Sequence, residues 1–326
     1  MAEISSELLD WNDLRHHHER SGLLIGNGAS LVVWDRFSYK SLYEEASLES
    51  ADEEVFAAAE TTNFELVLDA LRLSEVVCGA VGHNSDHIRD RYLSVRGALF
   101  EAVRRVHVPW ERVPEITFQR IERELSRYSV IFSTNYDLLA YWSIMCRATP
   151  NIRDYFWNPD LSFDPTNTHV ISSASTILYL HGGIHLFVDT RTGATVKRSP
   201  SSSNLLNFSD MSSTTRKPLF VSEGRSRDKM QSIRRSDYLS FGYQSLAEHQ
   251  ESLVIFGHSL SAADEHIAHA VRSRANQRVA VGLLPGRPNK IIENKARINQ
   301  VLDGQQVTYF DATTHPLGDA ALKVAP

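Results

Sequence analysis

The sequence predicts an α/β fold: a Rossmann-like, doubly wound, six-stranded parallel sheet with a helical insertion. Three observations indicate this class. Six short runs are rich in Val, Ile, Leu, Tyr and Phe, the composition of strands. Each run is almost continuously apolar, which is typical of a parallel sheet covered on both faces. Amphipathic helical patterns separate several of the runs.

The predicted strands are each bounded by a turn or a polar residue. They are GLLIGNG from Gly22, SVIFSTNYD from Ser129, TILYLHGG from Thr176, SLVIFGHS from Ser252, RVAVGLLPG from Arg278 and QVTYFDA from Gln306. Helical patterns follow the fourth and fifth, in ADEHIAHAVRSRAN from Ala263 and IIENKARINQVL from Ile291. The second half of the chain therefore alternates strand and helix.

The first two predicted strands lie about a hundred residues apart, far more than a simple crossover requires. Helical spacing dominates this stretch, as in HIRDRYLSVRGALFEAVRRV from His87 and ITFQRIERELSRY from Ile116. We predict that residues 44–127 form a helical insertion packed beside the sheet.

A second long connection, residues 189–250, is rich in Ser, Thr and Arg. It is predicted to be a mobile loop or a small lobe, with helical character only near its end. Its arginines, such as Arg227 and Arg234, suggest a nucleic-acid contact as one alternative, but a solvated surface explains them more simply. With both segments inserted between strands, residues 1–326 are predicted to form a single domain.

Composition excludes several classes of protein. Hydrophobic residues make up 42% and charged residues 23%, which does not fit a disordered or collagen-like chain. The formal charge of -6 makes nucleic acid an unlikely partner and gives no attraction to anionic lipid. Cys78 and Cys146 cannot supply the four thiolates of a structural zinc module, and two cysteines fit a reducing cytosol. Without an apolar leader or a membrane-length run, we expect a cytoplasmic protein with no membrane partner.

The first strand ends in Gly26, Asn27 and Gly28, followed by Ser30. Glycines at this position let the backbone approach a phosphate, and amides at a helix start can hold an anion. The third glycine of the dinucleotide fingerprint is absent, because Leu31 stands there. A plain strand-to-helix turn is the alternative.

The second strand ends in Thr134, Asn135 and Asp137. Hydroxyl, amide and carboxylate groups together can bind ribose hydroxyls and position a water. For Asp137 alone, the alternative is a cap on the following helix, LLAYWSIMCRA.

The third strand ends at His181, where an imidazole can act as a general base near neutral pH and the adjacent glycines leave room for a substrate. A purely structural histidine is the alternative. His181 and His185 also suggest a metal, but no matching Cys or carboxylate cluster is apparent, so we predict no metal site.

The fourth strand ends in Gly257, His258 and Ser259, and Asp264 follows at a helix start. Gly257 and Ser259 suit a close backbone turn over a nucleotide. Asp264 can cap its helix without any ligand. Elsewhere, the run His16, His17 and His18 suggests metal binding, but an exposed polar loop is the simpler interpretation.

These four segments, in this order, resemble the sirtuin-like family of NAD-consuming domains. The resemblance lies in GNGAS from Gly26, STNYD from Ser133, LHGG from Leu180 and FGHSLSAADEHI from Phe256. It implies that NAD contacts the strand-end residues Gly26, Asn27, Gly28, Ser30, Thr134, Asp137, Gly257, His258, Ser259 and Asp264. The first glycines and Ser30 would face the pyrophosphate, and Gly257 and Ser259 the adenosine side.

The same resemblance implies that His181 is the base and that Asn135 orients the water or the ribose. Classical deacetylases of this family carry a four-cysteine zinc lobe, which two cysteines cannot build. The sequence is more similar to bacterial sirtuin-like domains of antiviral defence that cleave NAD. We therefore predict an NAD glycohydrolase that releases nicotinamide and ADP-ribose, acting as a homo-oligomer or with a defence-system partner. The alternative is a non-catalytic sensor of NAD or ADP-ribose.

Overall fold

The computed structural model describes residues 4–37, 39–146, 151–167, 175–198, 216–221 and 226–325. The strands are β1 Gly22–Ile25, β2 Val130–Ser133, β3 Ile152–Arg153, β4 Ser175–Tyr179, β5 Gly182–Asp189, β6 Thr195–Lys197, β7 Arg216–Phe220, β8 Leu253–Phe256, β9 Arg278–Leu283 and β10 Gln306–Asp311. The helices are α1 Trp11–Leu14, α2 Asn27–Val33, α3 Tyr39–Glu45, α4 Ser50–Ala58, α5 Phe64–Ala80, α6 Asp86–Val106, α7 Glu115–Leu125, α8 Leu139–Met145, α9 Ser226–Arg234, α10 Asp237–Ala247, α11 Glu265–Arg272 and α12 Pro288–Val301.

The main sheet is parallel and has the strand order β10-β9-β8-β1-β2-β4-β3. The predicted α/β class with a parallel sheet is confirmed, and all six predicted strands lie in this sheet. The predicted strand count is wrong, because the sheet has seven strands. The seventh, β3, is only 2 residues long and pairs with the edge of β4, so it is too short to produce a recognisable apolar run.

Chain order reverses direction at β1, which lies between β2 and β8. Ile25 at the end of β1 is level with Ser133 of β2 and Phe256 of β8, and Ser133 is level with Tyr179 of β4. The residues that follow these four strands therefore emerge side by side. Ligands of open parallel sheets bind at such a switch point, beyond the carboxyl ends of the strands.

Helices α4 to α7 occupy the stretch between β1 and β2. Helix α6 buries Val95, Leu99, Val103 and Val106, positions that fall on one face of a helix. The Trp34 indole donates a hydrogen bond to the Val106 carbonyl (2.6 Å) and so links the end of α6 to the segment after α2. That residues 44–127 form a helical insertion packed beside the sheet stays a prediction.

The described parts of residues 189–250 contain more regular structure than the predicted connection. Strands β6, β5 and β7 form a separate antiparallel sheet in that order, and α9 and α10 follow. Residues 199–215 and 222–225 of this connection lie outside the described residues. Among the described helices, none is both long and apolar enough to cross a membrane.

Candidate functional site

A cavity of about 240 Å³ lies where β1, β2, β4 and β8 end. Most of the predicted site residues line it. Its walls are formed by Asn27, Gly28, Phe37, Leu42, Val103, Thr134, Asn135, Tyr136, Asp137, His181, Val221, Lys229, Gly257, His258, Ser259 and Asp264. Gly26 and Ser30 are absent from this wall and lie behind it.

The turns after β1 and β8 pack backbone against backbone. The Gly28 amide donates to the Gly257 carbonyl (2.8 Å), and the Gly26 amide donates to the Phe256 carbonyl (3.0 Å). A Cβ on Gly26 or Gly28 would lie 2.7 Å from atoms of the opposite turn. Gly257 has φ +67°, and a Cβ there would lie 2.4 Å from the Ala29 nitrogen. These three glycines are therefore needed for the close packing of the two turns. The Gly26 and Gly28 amides already donate to carbonyls of the protein.

A buried polar network holds Asn135 at the cavity wall. Its Nδ2 donates to the Ser30 hydroxyl (2.9 Å) and to the Gly26 carbonyl (3.1 Å). Ser30 Oγ donates in turn to Asp137 Oδ2 (2.5 Å), and Asp137 Oδ1 accepts from the Leu139 amide (2.8 Å). The Asn135 amide is thus fixed in orientation. Its Oδ1 is buried and has no hydrogen-bond partner in the described part of the chain.

An unpartnered amide oxygen in a cavity wall is an acceptor for a ligand hydroxyl or a water, because a buried acceptor left unpaired costs about 1–3 kcal/mol. Asp137 lines the cavity, and its Oδ1 also accepts from the first amide of α8, that of Leu139. Its contact with a nucleotide stays a prediction. Thr134 lines the cavity too, but its hydroxyl donates to the Ile25 carbonyl (3.1 Å) and so ties β2 to β1.

His181 sits in the turn between β4 and β5, where Gly182 adopts φ +76°. Its Nε2 lies 2.9 Å from Nε2 of His266, the second residue of α11. The Nδ1 atom of His266 lies 3.2 Å from the Ser226 hydroxyl. Since two ring nitrogens at this distance share one proton, His181 and His266 form a hydrogen-bonded pair with Ser226 behind it.

Asp264 and Lys229 form a buried ion pair beside this histidine pair. Lys229 Nζ donates to Asp264 Oδ1 (2.9 Å), and its side chain is only 1% exposed. His258 Nε2 lies 3.7 Å from Asp264 Oδ2. The predicted helix-cap role of Asp264 has no side-chain hydrogen bond to support it. The Asp264 carboxylate contacts Lys229 and His258 instead.

Burial controls the charge of this cluster. It lowers the pKa of His181 well below the usual value, against the opposing effect of the Asp264 carboxylate. It also lowers the pKa of His266 to about 4. Burial works to raise the pKa of Asp264, but the His181 and His258 rings, when protonated at low pH, and the Lys229 ammonium outweigh it and hold that pKa well below its usual range. Near pH 7 the cluster therefore contains neutral imidazoles beside a carboxylate and an ammonium.

These residues also have a spacing that suits a metal. One ring nitrogen each of His181 and His266 and an Asp264 oxygen lie within 4.8 Å of one another. Histidine and carboxylate are common ligands of divalent metals. The Lys229 ammonium on Asp264 opposes this, because it already neutralises the carboxylate and repels a second cation. The absence of a metal stays a prediction.

Sequence reasoning missed Lys229, because it lies within a Ser/Arg-rich connection where a lysine carries no distinctive signal. Phe37 is 5% exposed and also lines the cavity, so it packs in the core directly beside the cavity. His266 could be found from its place two residues after Asp264.

Fold and site together define an α/β protein whose parallel sheet carries a polar, histidine-rich ligand cavity at its switch point. The family model described as a domain of unknown function, DUF4917, matches residues 23–317, so the chain belongs to this family. No curated protein matches the sequence.

Several solved structures are weakly similar to this chain. One, on the mechanism and regulation of Sir2 enzymes, is 12% identical, with 93% of this chain and 91% of that chain covered and a TM-score of 0.37. Another, on sirtuin substrate affinity, is 13% identical, with coverages of 89% and 96% and a TM-score of 0.34. A third, Sir2 with EX-527, 2′-O-acetyl-ADP-ribose and a deacetylated p53 peptide, is 12% identical, with the same coverages and TM-score. Such weak likenesses say nothing about this chain's activity.

Proposed function

We propose that this protein is an NAD glycohydrolase. The observation that carries the proposal is that the four strand-end segments that resemble sirtuin-like domains meet in one cavity, with Asn135 and His181 both in its wall. The buried Asn135 Oδ1 still lacks a hydrogen-bond partner among the described residues. The switch-point location is where α/β sheets bind nucleotides.

In the proposed reaction, a water oxygen bonds to C1′ of the nicotinamide ribose as the bond from C1′ to the pyridinium nitrogen breaks. The electron pair of that bond leaves with nicotinamide, and the water proton passes to a base. The products are nicotinamide, ADP-ribose and one proton. Charge develops on the ribose as an oxocarbenium ion, which nearby carboxylates stabilise. Asp137 and Asp264 are the carboxylates in this cavity wall.

Asn135 orients the attacking water or a ribose hydroxyl in this proposal. Its Nδ2 is already engaged by Ser30 and Gly26, so the amide cannot rotate freely and its Oδ1 faces a fixed direction. Gly26 and Ser30 therefore support Asn135, and their predicted pyrophosphate contacts stay predictions. The adenosine side is assigned to the turn of Gly257, His258 and Ser259.

His181 is the proposed base. This role requires the tautomer in which His181 Nε2 donates to His266, since Nδ1 then keeps a free lone pair. After Nδ1 takes the proton, the imidazolium is stabilised by the Asp264 carboxylate. The lowered pKa keeps the His181 ring unprotonated at neutral pH. It also makes the ring a weaker base, because general-base catalysis is most effective when the pKa lies near the working pH.

The second candidate is a non-catalytic NAD or ADP-ribose sensor. One observation favours it: His181 is 5% exposed and one ring nitrogen is engaged by His266, as in a structural histidine. For either candidate we propose a cytoplasmic protein of antiviral defence, working as a homo-oligomer or with a partner protein, as the resemblance implies.

The test is nicotinamide release from NAD by the wild-type protein and by His181→Ala and Asn135→Ala. Their controls are His83→Ala and Asn84→Ala, which remove the same side chains from an exposed turn between α5 and α6. We expect release to fall by about two orders of magnitude or more in the cavity variants, in line with loss of a base or a positioned water. The controls should keep full activity.

Circular dichroism of all four variants separates misfolding from a chemical loss. Undiminished release by both folded cavity variants would contradict the assignment of the site. The sensor instead predicts stoichiometric binding with NAD recovered unchanged. Release that survives EDTA would support a reaction without a divalent metal at His181, His266 and Asp264.

A further inference from the structure

A second cavity lies at the amino-terminal ends of the parallel strands, beside the residues that lead into β1 and β2. Its volume is about 230 Å³. It is lined by Trp11, Arg15, His18, Glu19, Arg20, Glu124, Arg127 and Tyr128. Arg20 and Tyr128 each precede their strand by two residues, whereas the cavity with His181 lies past the other end of these strands. The two cavities are therefore separate sites.

Guanidinium groups dominate the charge of this second cavity. Within the described ranges, neither Arg15 nor Arg20 has an acidic partner within 4.0 Å. The third, Arg127, has only a 3.9 Å contact with Glu124. Glu124 is itself directed into the protein, where it accepts from the Tyr128 hydroxyl (3.3 Å), and burial raises its pKa. Glu19 also lines the cavity, so three arginines face two glutamates and the balance is positive.

His18 supplies an independent indication of a ligand. The sequence favoured an exposed polar loop for the run of three histidines, but His18 is only 7% exposed and stacks on Trp11 with ring centroids 5.9 Å apart. Its Nδ1 is buried and has no hydrogen-bond partner in the described structure. Burial, with the charges of Arg278, His17 and His16, lowers the pKa of His18 to about 4, so the ring is neutral at pH 7. A neutral ring can turn an N–H toward an acceptor.

We propose that this cavity binds the phosphate group of a small molecule, with Arg15, Arg20 and Arg127 around the phosphate oxygens and His18 Nδ1 as a further donor. Guanidinium forks match the geometry of phosphate oxygens and form charge-assisted hydrogen bonds with them. The same charges exclude a metal cation. The Trp11 and Tyr128 rings in the wall offer apolar surface to an organic group attached to the phosphate.

Calorimetric titration of the full chain with inorganic phosphate at low ionic strength tests this proposal. We expect saturable binding in the millimolar range or tighter. Arg15→Gln/Arg20→Gln should weaken it about tenfold for each guanidinium removed. Arg274→Gln is the matched control, because Arg274 is exposed and distant in sequence from the cavity, and it should bind like wild type. Both arginines of the double variant are exposed, so the fold should survive.

Two further arms define the ligand and the donor. His18→Phe keeps the ring against Trp11 but removes Nδ1, and it should weaken phosphate binding several-fold. Phenyl phosphate binding more tightly than inorganic phosphate would indicate a phosphate ester, and equal affinity would indicate free phosphate. No saturable binding of either, or equal binding by wild type and Arg15→Gln/Arg20→Gln, would overturn the proposal. His181→Ala should bind phosphate normally, so this result is independent of the proposed NAD cleavage.

Discussion

Replacement of His185 by Phe should stabilise the protein, and the gain should grow as the pH falls. The His185 ring is 1% exposed, and neither ring nitrogen has a hydrogen-bond partner among the described residues. It stacks on Tyr141 (ring centroids 4.5 Å apart) and contacts Tyr179 edge-on (4.6 Å). Phe can keep these ring contacts, and it removes two buried polar atoms that lack partners.

The pH dependence follows from the His185 pKa, which burial and the nearby Lys197 charge lower from 6.5 to about 3. Below pH 6.5 the His185 ring binds a proton in the unfolded chain but not in the folded chain. The free energy of unfolding therefore decreases as the pH is lowered, and the decrease ends near the folded pKa of His185. At about pH 5.5 the unfolded state prefers the proton by about tenfold, or about 1.4 kcal/mol. His185→Phe removes this penalty.

Urea unfolding followed by tryptophan fluorescence gives the measurement, at about pH 8 and about pH 5.5. The stability difference between His185→Phe and wild type should rise by about 1.4 kcal/mol between the two conditions. His83→Phe, at an exposed position, should show the same difference from wild type at both pH values. A gain from His185→Phe that does not change with pH would show that the buried His185 ring does not lower stability in acid.

Two other substitutions test the walls of the first cavity. Gly257→Ala should destabilise the protein by about 1–3 kcal/mol because of the positive φ, and the clash of the new Cβ with Ala29 should add to this cost. Gly286→Ala should be tolerated, because a Cβ there meets nothing within 4 Å. Equal stability of the two variants in urea unfolding would contradict this prediction. Lys229→Met should cost about 3–5 kcal/mol because it leaves the Asp264 carboxylate buried and unpaired. Adding Asp264→Asn should recover part of that loss, and a double variant no more stable than Lys229→Met would show that the ion pair is not the cause.

The location of the first cavity could be predicted from the sequence because its residues directly follow recognisable strands. Gly28, Asn135, His181 and Gly257 come after β1, β2, β4 and β8, which are neighbours in the sheet. Parallel strands bring their carboxyl ends to one edge. The positions of the strand ends were therefore sufficient to predict that these residues lie close together, without any knowledge of side-chain packing.

Other parts depend on tertiary contacts that leave no local pattern. Lys229 reaches the cavity from α9, far along the chain from any strand of the main sheet, and its burial follows from pairing with Asp264. The unpartnered His18 Nδ1 depends on how the turn before β1 packs against Trp11. Strand β5 begins at Gly182 and enters a separate sheet, although the sequence placed its first residues at the end of β4. Only the positive φ of that glycine marks the change.

Incubation of the protein with NAD in H₂¹⁸O, followed by mass spectrometry of the nucleotide, tests the proposed function most directly. We expect free nicotinamide and ADP-ribose that carries one ¹⁸O atom at C1′, because the attacking oxygen comes from water. His181→Ala and Asn135→Ala should leave NAD intact under the same conditions. Recovery of unlabelled, intact NAD from the folded wild-type protein, assembled with any partner it requires, would contradict NAD cleavage and favour the sensor.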